Sequence, residues 1–296
     1  MGERAPAAAV AALVLNAFVW GVSWWPFRAL HAQGVHPLWS TAIVFCTSFL
    51  VFLALKPSGL RAFANQPLLW LLAAAAGLTN VGFNWAVTVG DVVRVVLLFY
   101  LMPAWSVLLA WLVLGDRPSG AALARLLLAL AGVATVLDTS GTGVPWPRTL
   151  ADVLALAGGF SFALTNVLLR KMSAQPAASR VLAMFGGGTV LAGGVAIAGL
   201  LQGSVAPLPS PSLAWLALVG LLAAGFLASN LALQYGAARL PAHTTALVML
   251  SEVVFASLSS VALGASELTL RTLAGGALIL LAAAWSAWPQ RRGLAA

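Results

Sequence analysis

Charge is scarce in this sequence: only 7% of its 296 residues are Asp, Glu, Lys or Arg. Soluble domains carry about a quarter, so an ordinary water-soluble globule is excluded. Cysteine is nearly absent. Cys46 stands alone inside an apolar run, which leaves no disulfide partner and no thiolate set for a metal. The three histidines, His31, His36 and His243, fall near the ends of apolar runs. Neither an HExxH nor a GxSxG pattern occurs, and there is no phosphate loop or repeated filter motif. An enzyme, an ATPase and a selective channel therefore lack their defining groups, and neither a metal nor a cofactor is expected.

The formal net charge of +8 does not point to nucleic acid, because the basic residues lie singly or in pairs between apolar runs and form no patch. They read as topology signals. What the chain has in abundance is apolar length: 61% of it is hydrophobic. Runs able to cross a bilayer occupy about 7–27, 37–55, 67–89, 91–114, 119–138, 150–169, 180–201, 213–235, 241–263 and 269–288. Between them lie His36-Pro37, Lys56-Pro57-Ser58-Gly59, Arg117-Pro118-Ser119-Gly120, Pro145-Trp146-Pro147-Arg148, Pro207 to Pro211 and Pro289. The first run, beginning after Arg4, is too long for a secretory signal and ends in no small-residue cleavage site, so it reads as an uncleaved helix. The expectation is an all-α membrane protein of ten transmembrane helices.

Positive residues are retained on the cytoplasmic side of a membrane. Assigned to the nearest helix end, Arg4, Lys56, Arg61, Arg117, Arg125, Arg170, Lys171, Arg180, Arg239, Arg291 and Arg292 share one face, and only Arg28, Arg94, Arg148 and Arg271 share the other. Both termini are then cytoplasmic.

An internal repeat at an offset of 150 residues carries the functional argument. Thr79-Asn80-Val81-Gly82-Phe83-Asn84-Trp85 aligns with Ser229-Asn230-Leu231-Ala232-Leu233-Gln234-Tyr235, and Met102-Pro103 aligns with Glu252-Val253. Leu114-Gly115-Asp116 falls over Gly264-Ala265-Ser266; at an offset of 142, Trp20-Gly21-Val22-Ser23 falls over Phe162-Ala163-Leu164-Thr165, and Arg28 over Arg170. Five helices per copy is an odd number, so the second copy enters from the opposite face. Two inverted five-helix repeats result, 1–140 and 141–296. Secondary transporters are often built this way, with a substrate site near the midplane where the halves meet.

Trp20-Gly21, Met102-Pro103-Ala104 and Leu114-Gly115-Asp116 resemble the drug/metabolite transporter (DMT) superfamily, whose ten-helix members carry two EamA repeats. Glu252-Val253 stands where that family commonly has Glu-Pro, and Ala265-Ser266 where Gly-Glu is common. The likeness runs from Ala7 to Trp288, and within the superfamily it is greatest to the aromatic amino acid exporters. The resemblance implies a central cavity bordered by helices 1, 3, 4, 6, 8 and 9, with 5 and 10 peripheral. It also implies export across the bacterial inner membrane.

Polar groups inside a membrane bundle are costly and generally face its interior. Asn16, Asn80, Asn84, Asn166, Asn230 and Gln234 are candidate cavity residues, and the pairs Asn80/Asn84 and Asn230/Gln234 each share one helix face. Amides bind a zwitterion without burying net charge. As single residues they serve equally well as interhelical hydrogen-bonding glue. Trp20, Trp24, Trp85, Tyr100, Trp105 and Phe160 offer apolar walls, although bulk packing is the commoner role of one midspan aromatic. Pro26 and Pro103 interrupt helices 1 and 4 and are candidate hinges. Arg94 either snorkels to the interface or attracts a carboxylate. Glu252, the sole acidic residue deep in a span, has Ser251, Ser257, Ser259 and Ser260 nearby to hydrogen-bond it in a structural role. The expected partners are a small-molecule substrate and membrane lipid, with a functional monomer. The expected activity is alternating-access transport of small neutral metabolites, with aromatic and other apolar amino acids first. Drug export or proton-coupled antiport is the alternative.

Overall fold

The computed structural model describes residues 4–63, 65–115, 119–137, 147–172, 174–237, 239–240, 245 and 248–287. Every regular element among them is helical. Eight stretches, from Ala7–Ala32 to Leu213–Gly236, are long and apolar enough to cross a membrane, and two shorter apolar helices, Ser251–Ala262 and Leu270–Trp285, take the ninth and tenth places. The chain is thus an all-α membrane protein of two inverted five-helix repeats. Asp116, Arg117, Pro118, Pro145, Trp146, His243, Trp288, Pro289, Arg291 and Arg292 lie outside the described residues.

The first span is two helices, α1 (Arg4–Val22) and α2 (Trp24–Ala32), followed by α3 (Pro37–Leu55) and α4 (Pro67–Val89). The fourth span is also divided, into α5 (Val92–Phe99) and α6 (Met102–Leu114), and α7 (Gly120–Leu137) closes the first repeat. The second repeat contains α8 (Leu150–Lys171), α9 (Ala177–Leu201), α10 (Leu213–Ala237), α11 (Ser251–Ala262) and α12 (Leu270–Ala287).

Both interruptions of the first repeat follow from proline, which has no N–H to donate to the carbonyl four residues back. For Pro26 that carbonyl belongs to Val22, the last residue of α1; for Pro103 it belongs to Phe99, the last residue of α5. At the first break the Ser23 hydroxyl donates to the Trp20 carbonyl at 2.8 Å. The side chain of Pro103 lies outside the described residues. The ninth span turns at Leu250, the repeat equivalent of Tyr100, although Val253 replaces the proline. There the Ser251 hydroxyl donates to the Val248 carbonyl at 2.7 Å.

Packing runs mainly between the repeats and obeys their symmetry. α4 lies on α8 and α9, and its counterpart α10 lies on α1 and α3. Likewise α6 packs on α8 while its counterpart α11 packs on α1, and two pairs of equivalents, α3 with α9 and α7 with α12, meet each other. A twofold axis relating the halves produces this exchange of partners. Small residues permit it. A Cβ on Gly132 of α7 would lie 2.7 Å from the Gly275 carbonyl oxygen of α12, and one on Gly275 would lie 2.6 Å from that of Gly132.

Candidate substrate pathway

The bundle has two ends, named here by Asp91, at the start of α5, and by Arg239, just beyond α10. A column of aromatic rings links α10, α1, α4, α5 and α8. Phe226 of α10 stacks on Trp20 of α1 at a centroid separation of 4.5 Å. Trp20 meets Phe83 of α4 at 6.0 Å, Phe83 meets Phe99 of α5 at 4.8 Å, and Phe99 meets Phe162 of α8 at 5.4 Å. Trp20 and Phe162, repeat equivalents, stand toward the two ends of this series, which draws rings from both halves. Each ring pair adds dispersion and quadrupolar attraction to its burial. Of the aromatic residues selected from sequence, only Trp20 belongs to the column. Trp85 meets His36 edge-on at 5.2 Å, Trp24 donates to the Ser259 hydroxyl at 2.9 Å, and Trp105 meets Phe160 at 5.6 Å. Phe83, Phe99 and Phe226 were not distinguished from core phenylalanines by sequence; the pairing of Phe162 with Trp20 was the available signal.

The amides divide into two groups. In the buried group, Asn16 donates to the carbonyl (3.0 Å) and the hydroxyl (2.5 Å) of Ser229, tying α1 to α10. Asn84 donates to the Thr41 hydroxyl at 3.3 Å, and Asn80 donates to the Ala76 carbonyl of its own helix at 2.7 Å. Asn16 and Asn84 are 1% and 0% exposed, yet the carbonyl oxygen of each side chain has no hydrogen-bond partner. A buried acceptor left without a donor is costly and infrequent. The second group is accessible. Gln234 donates to Asn230 at 2.7 Å on an exposed part of α10, and Asn166 is exposed on α8. Among the described residues no hydrogen bond joins the Asn80/Asn84 face to the Asn230/Gln234 face.

Glu252 and Tyr100 are both buried at the helix interruptions of equivalent spans. The Tyr100 hydroxyl lies 3.0 Å from the Glu252 carboxylate and 3.1 Å from the Met249 carbonyl. The serines expected around Glu252 are engaged elsewhere: Ser251, Ser259 and Ser260 donate to carbonyls of their own segment. Behind Tyr100, between α6, α7 and α12, a cavity lined by Ala104, Arg125, Ala129 and Ile279 has room for about one water.

At the Asp91 end, Arg94 does not snorkel. It forms a bidentate ion pair with Asp152, Nε to Oδ1 at 2.7 Å and Nη2 to Oδ2 at 3.1 Å, and also donates to the Val136 carbonyl. The reason is a carboxylate held in place by its own helix: Asp152 and Thr149 form a capping box at the start of α8, and Asp152 Oδ2 accepts from the backbone N–H groups of Arg148 and Thr149. Sequence reading selected Arg94 and missed Asp152. Arg28 reaches across the same end, donating to the carbonyls of Val87 at 3.0 Å and of Gly90.

A model described as the EamA-like transporter family matches residues 7–137 and 149–288 of the chain. No curated protein matches it. One solved structure, titled only as a crystal structure of a protein, aligns at 19% identity over 94% of this chain and 96% of its own, with a TM-score of 0.57. That likeness is one of fold.

Proposed function

Because the chain belongs to the EamA-like transporter family, we propose that this multi-pass membrane transporter carries small neutral zwitterions, aromatic and other apolar amino acids above all. It does so by uncoupled, alternating-access diffusion. The halves 1–140 and 141–296 rock about the aromatic column, using the helix interruptions before Pro26 and Pro103 as bending points. Both termini lie in the cytoplasm of a bacterial cell whose inner membrane holds the protein as a functional monomer. The Asp91 end is then external, and net export reflects a higher internal concentration.

The observation that supports this reading best is the pair of buried, unpartnered amide oxygens on Asn16 and Asn84, close along their helices to Trp20 and Phe83. An acceptor without a donor suits an ammonium group, and neighbouring rings suit an apolar side chain. Glu252 has a structural partner in Tyr100, which favours a role in joining the helix interruptions over one in carrying protons. Purified protein in liposomes tests the substrate class. A radiolabelled aromatic amino acid should enter faster than into empty liposomes, with competition by neutral amino acids and little by acidic or basic ones. Equal competition by charged amino acids contradicts the proposal.

A further inference from the structure

The Asp91 end is sealed by polar contacts that cross between the repeats. Arg94 and Asp152 pair across the seam, and the Ser266 hydroxyl accepts the Val92 and Val93 N–H groups at 3.0 and 3.3 Å. Gly264, with φ 67°, reverses the chain after α11 and so brings Ser266 back against α5. At the Arg239 end, by contrast, Asn166, Gln234, Tyr235 and Arg239 are exposed on the halves of α8 and α10 nearest that face. The repeat does not duplicate the two charges of this pair. The positions equivalent to Arg94 and Asp152, at offsets of 150 and 142, are Thr244 and Val10.

We propose that Arg94 and Asp152 are the latch of the external gate, closed in this structure and parted when the Asp91 end opens. The inference rests on the alternating-access reading above. Three features suit a reversible latch. The partners belong to different repeats, so relative motion of the halves separates them. Asp152 keeps the N–H groups of Arg148 and Thr149 after Arg94 leaves, so no carboxylate is orphaned. Arg94 keeps the Val136 carbonyl of its own repeat and lies near enough to the surface to regain water, its side chain being 17% exposed against 1% for Asp152. A charge pair that the repeat does not duplicate biases the protein toward closure of the Asp91 end.

The test uses Val93→Cys, which replaces a side chain 3% exposed at the seam, in a Cys46→Ser background, and measures the rate of reaction with a water-soluble maleimide in detergent micelles. Arg94→Gln removes the charge pair that joins the repeats at this end, so the end should open more often and the labelling rate should rise about tenfold or more. Arg94→Lys, which keeps the cation, should restore most of the protection, an effect that a loss of packing alone does not produce. If Arg94→Gln does not fold, Asp152→Asn, which keeps an acceptor for the cap, should accelerate labelling in the same way. Labelling at the parent rate in a folded Arg94→Gln or Asp152→Asn protein overturns the latch. Because labelling needs no substrate, this outcome is independent of which compounds the protein carries.

Discussion

Tyr100 of the fourth span reaches Glu252 of the ninth at 3.0 Å, so a single hydrogen bond joins the interruptions of two equivalent helices across the axis relating the repeats. One hydroxyl proton cannot serve both the carboxylate and the Met249 carbonyl at 3.1 Å, and Glu252 as an acceptor or donor completes the set.

Tyr100→Phe removes the central group from that set and should destabilise the protein by about 1–3 kcal/mol, the cost of leaving buried polar atoms unpaired. Glu252→Gln keeps an acceptor for Tyr100 and should leave the melting temperature nearly unchanged, with substantial transport. Thermal unfolding in detergent and flux in liposomes read the two effects. A folded Glu252→Gln protein without transport contradicts a structural role.

Asn84→Ala deletes a buried acceptor that has no donor in the resting protein. The same change removes the long hydrogen bond to Thr41, so stability should fall by about 1 kcal/mol, while transport per folded molecule falls roughly fivefold, as for the loss of one ligand hydrogen bond. If the residue is interhelical glue, the melting temperature falls and the transport rate per folded molecule is preserved. Asn230→Ala, which unpairs Gln234 on an exposed face, should likewise reduce transport more than stability.

Gly132→Ala places a methyl 2.7 Å from the Gly275 carbonyl oxygen, where backbone faces backbone and neither side can yield without moving α7 from α12. Overpacking of this kind costs about 1–3 kcal/mol. Gly220→Ala on α10 meets nothing within 4 Å and should instead stabilise by up to about 1 kcal/mol through helix propensity. Opposite signs in paired unfolding measurements are the expected result.

His36 caps α3, with Nδ1 accepting from the Leu38 N–H at 3.2 Å, in the loop outside the spans. Burial, and then neighbouring His31, hold its imidazole below the ordinary value of about 6.5. The unfolded chain therefore takes up a proton at higher pH than the folded one. This contribution to stability is full above about pH 6.5 and is lost as pH falls below it. His36→Asn keeps a capping acceptor and removes the titration, so its melting temperature should vary less between pH 7 and pH 5 than that of the parent.

The spans and their inversion were legible because apolar runs and a repeat register are properties of the chain itself. The helix interruptions of spans one and four were legible for the same reason, each lying one turn before a proline. The break at Leu250 was not, since Val253 gives no such signal and the Ser251 side chain acts through a local contact. Glu252 and Arg94 were visible as charges in apolar surroundings, but their partners were not. Asp152 was not singled out, and Tyr100 stood as one of several candidate wall aromatics. Their roles depend on which spans meet, a consequence of the twofold packing that periodicity does not encode.

The central claim is uncoupled movement of neutral aromatic amino acids, and the most direct measurement is the final accumulation ratio of a labelled aromatic amino acid in liposomes, with and without an imposed pH gradient. The account predicts uptake that is absent from empty liposomes and reaches equal internal and external concentrations under both conditions. Absence of protein-dependent uptake, or accumulation above equality driven by the pH gradient and abolished in Glu252→Gln, would contradict it.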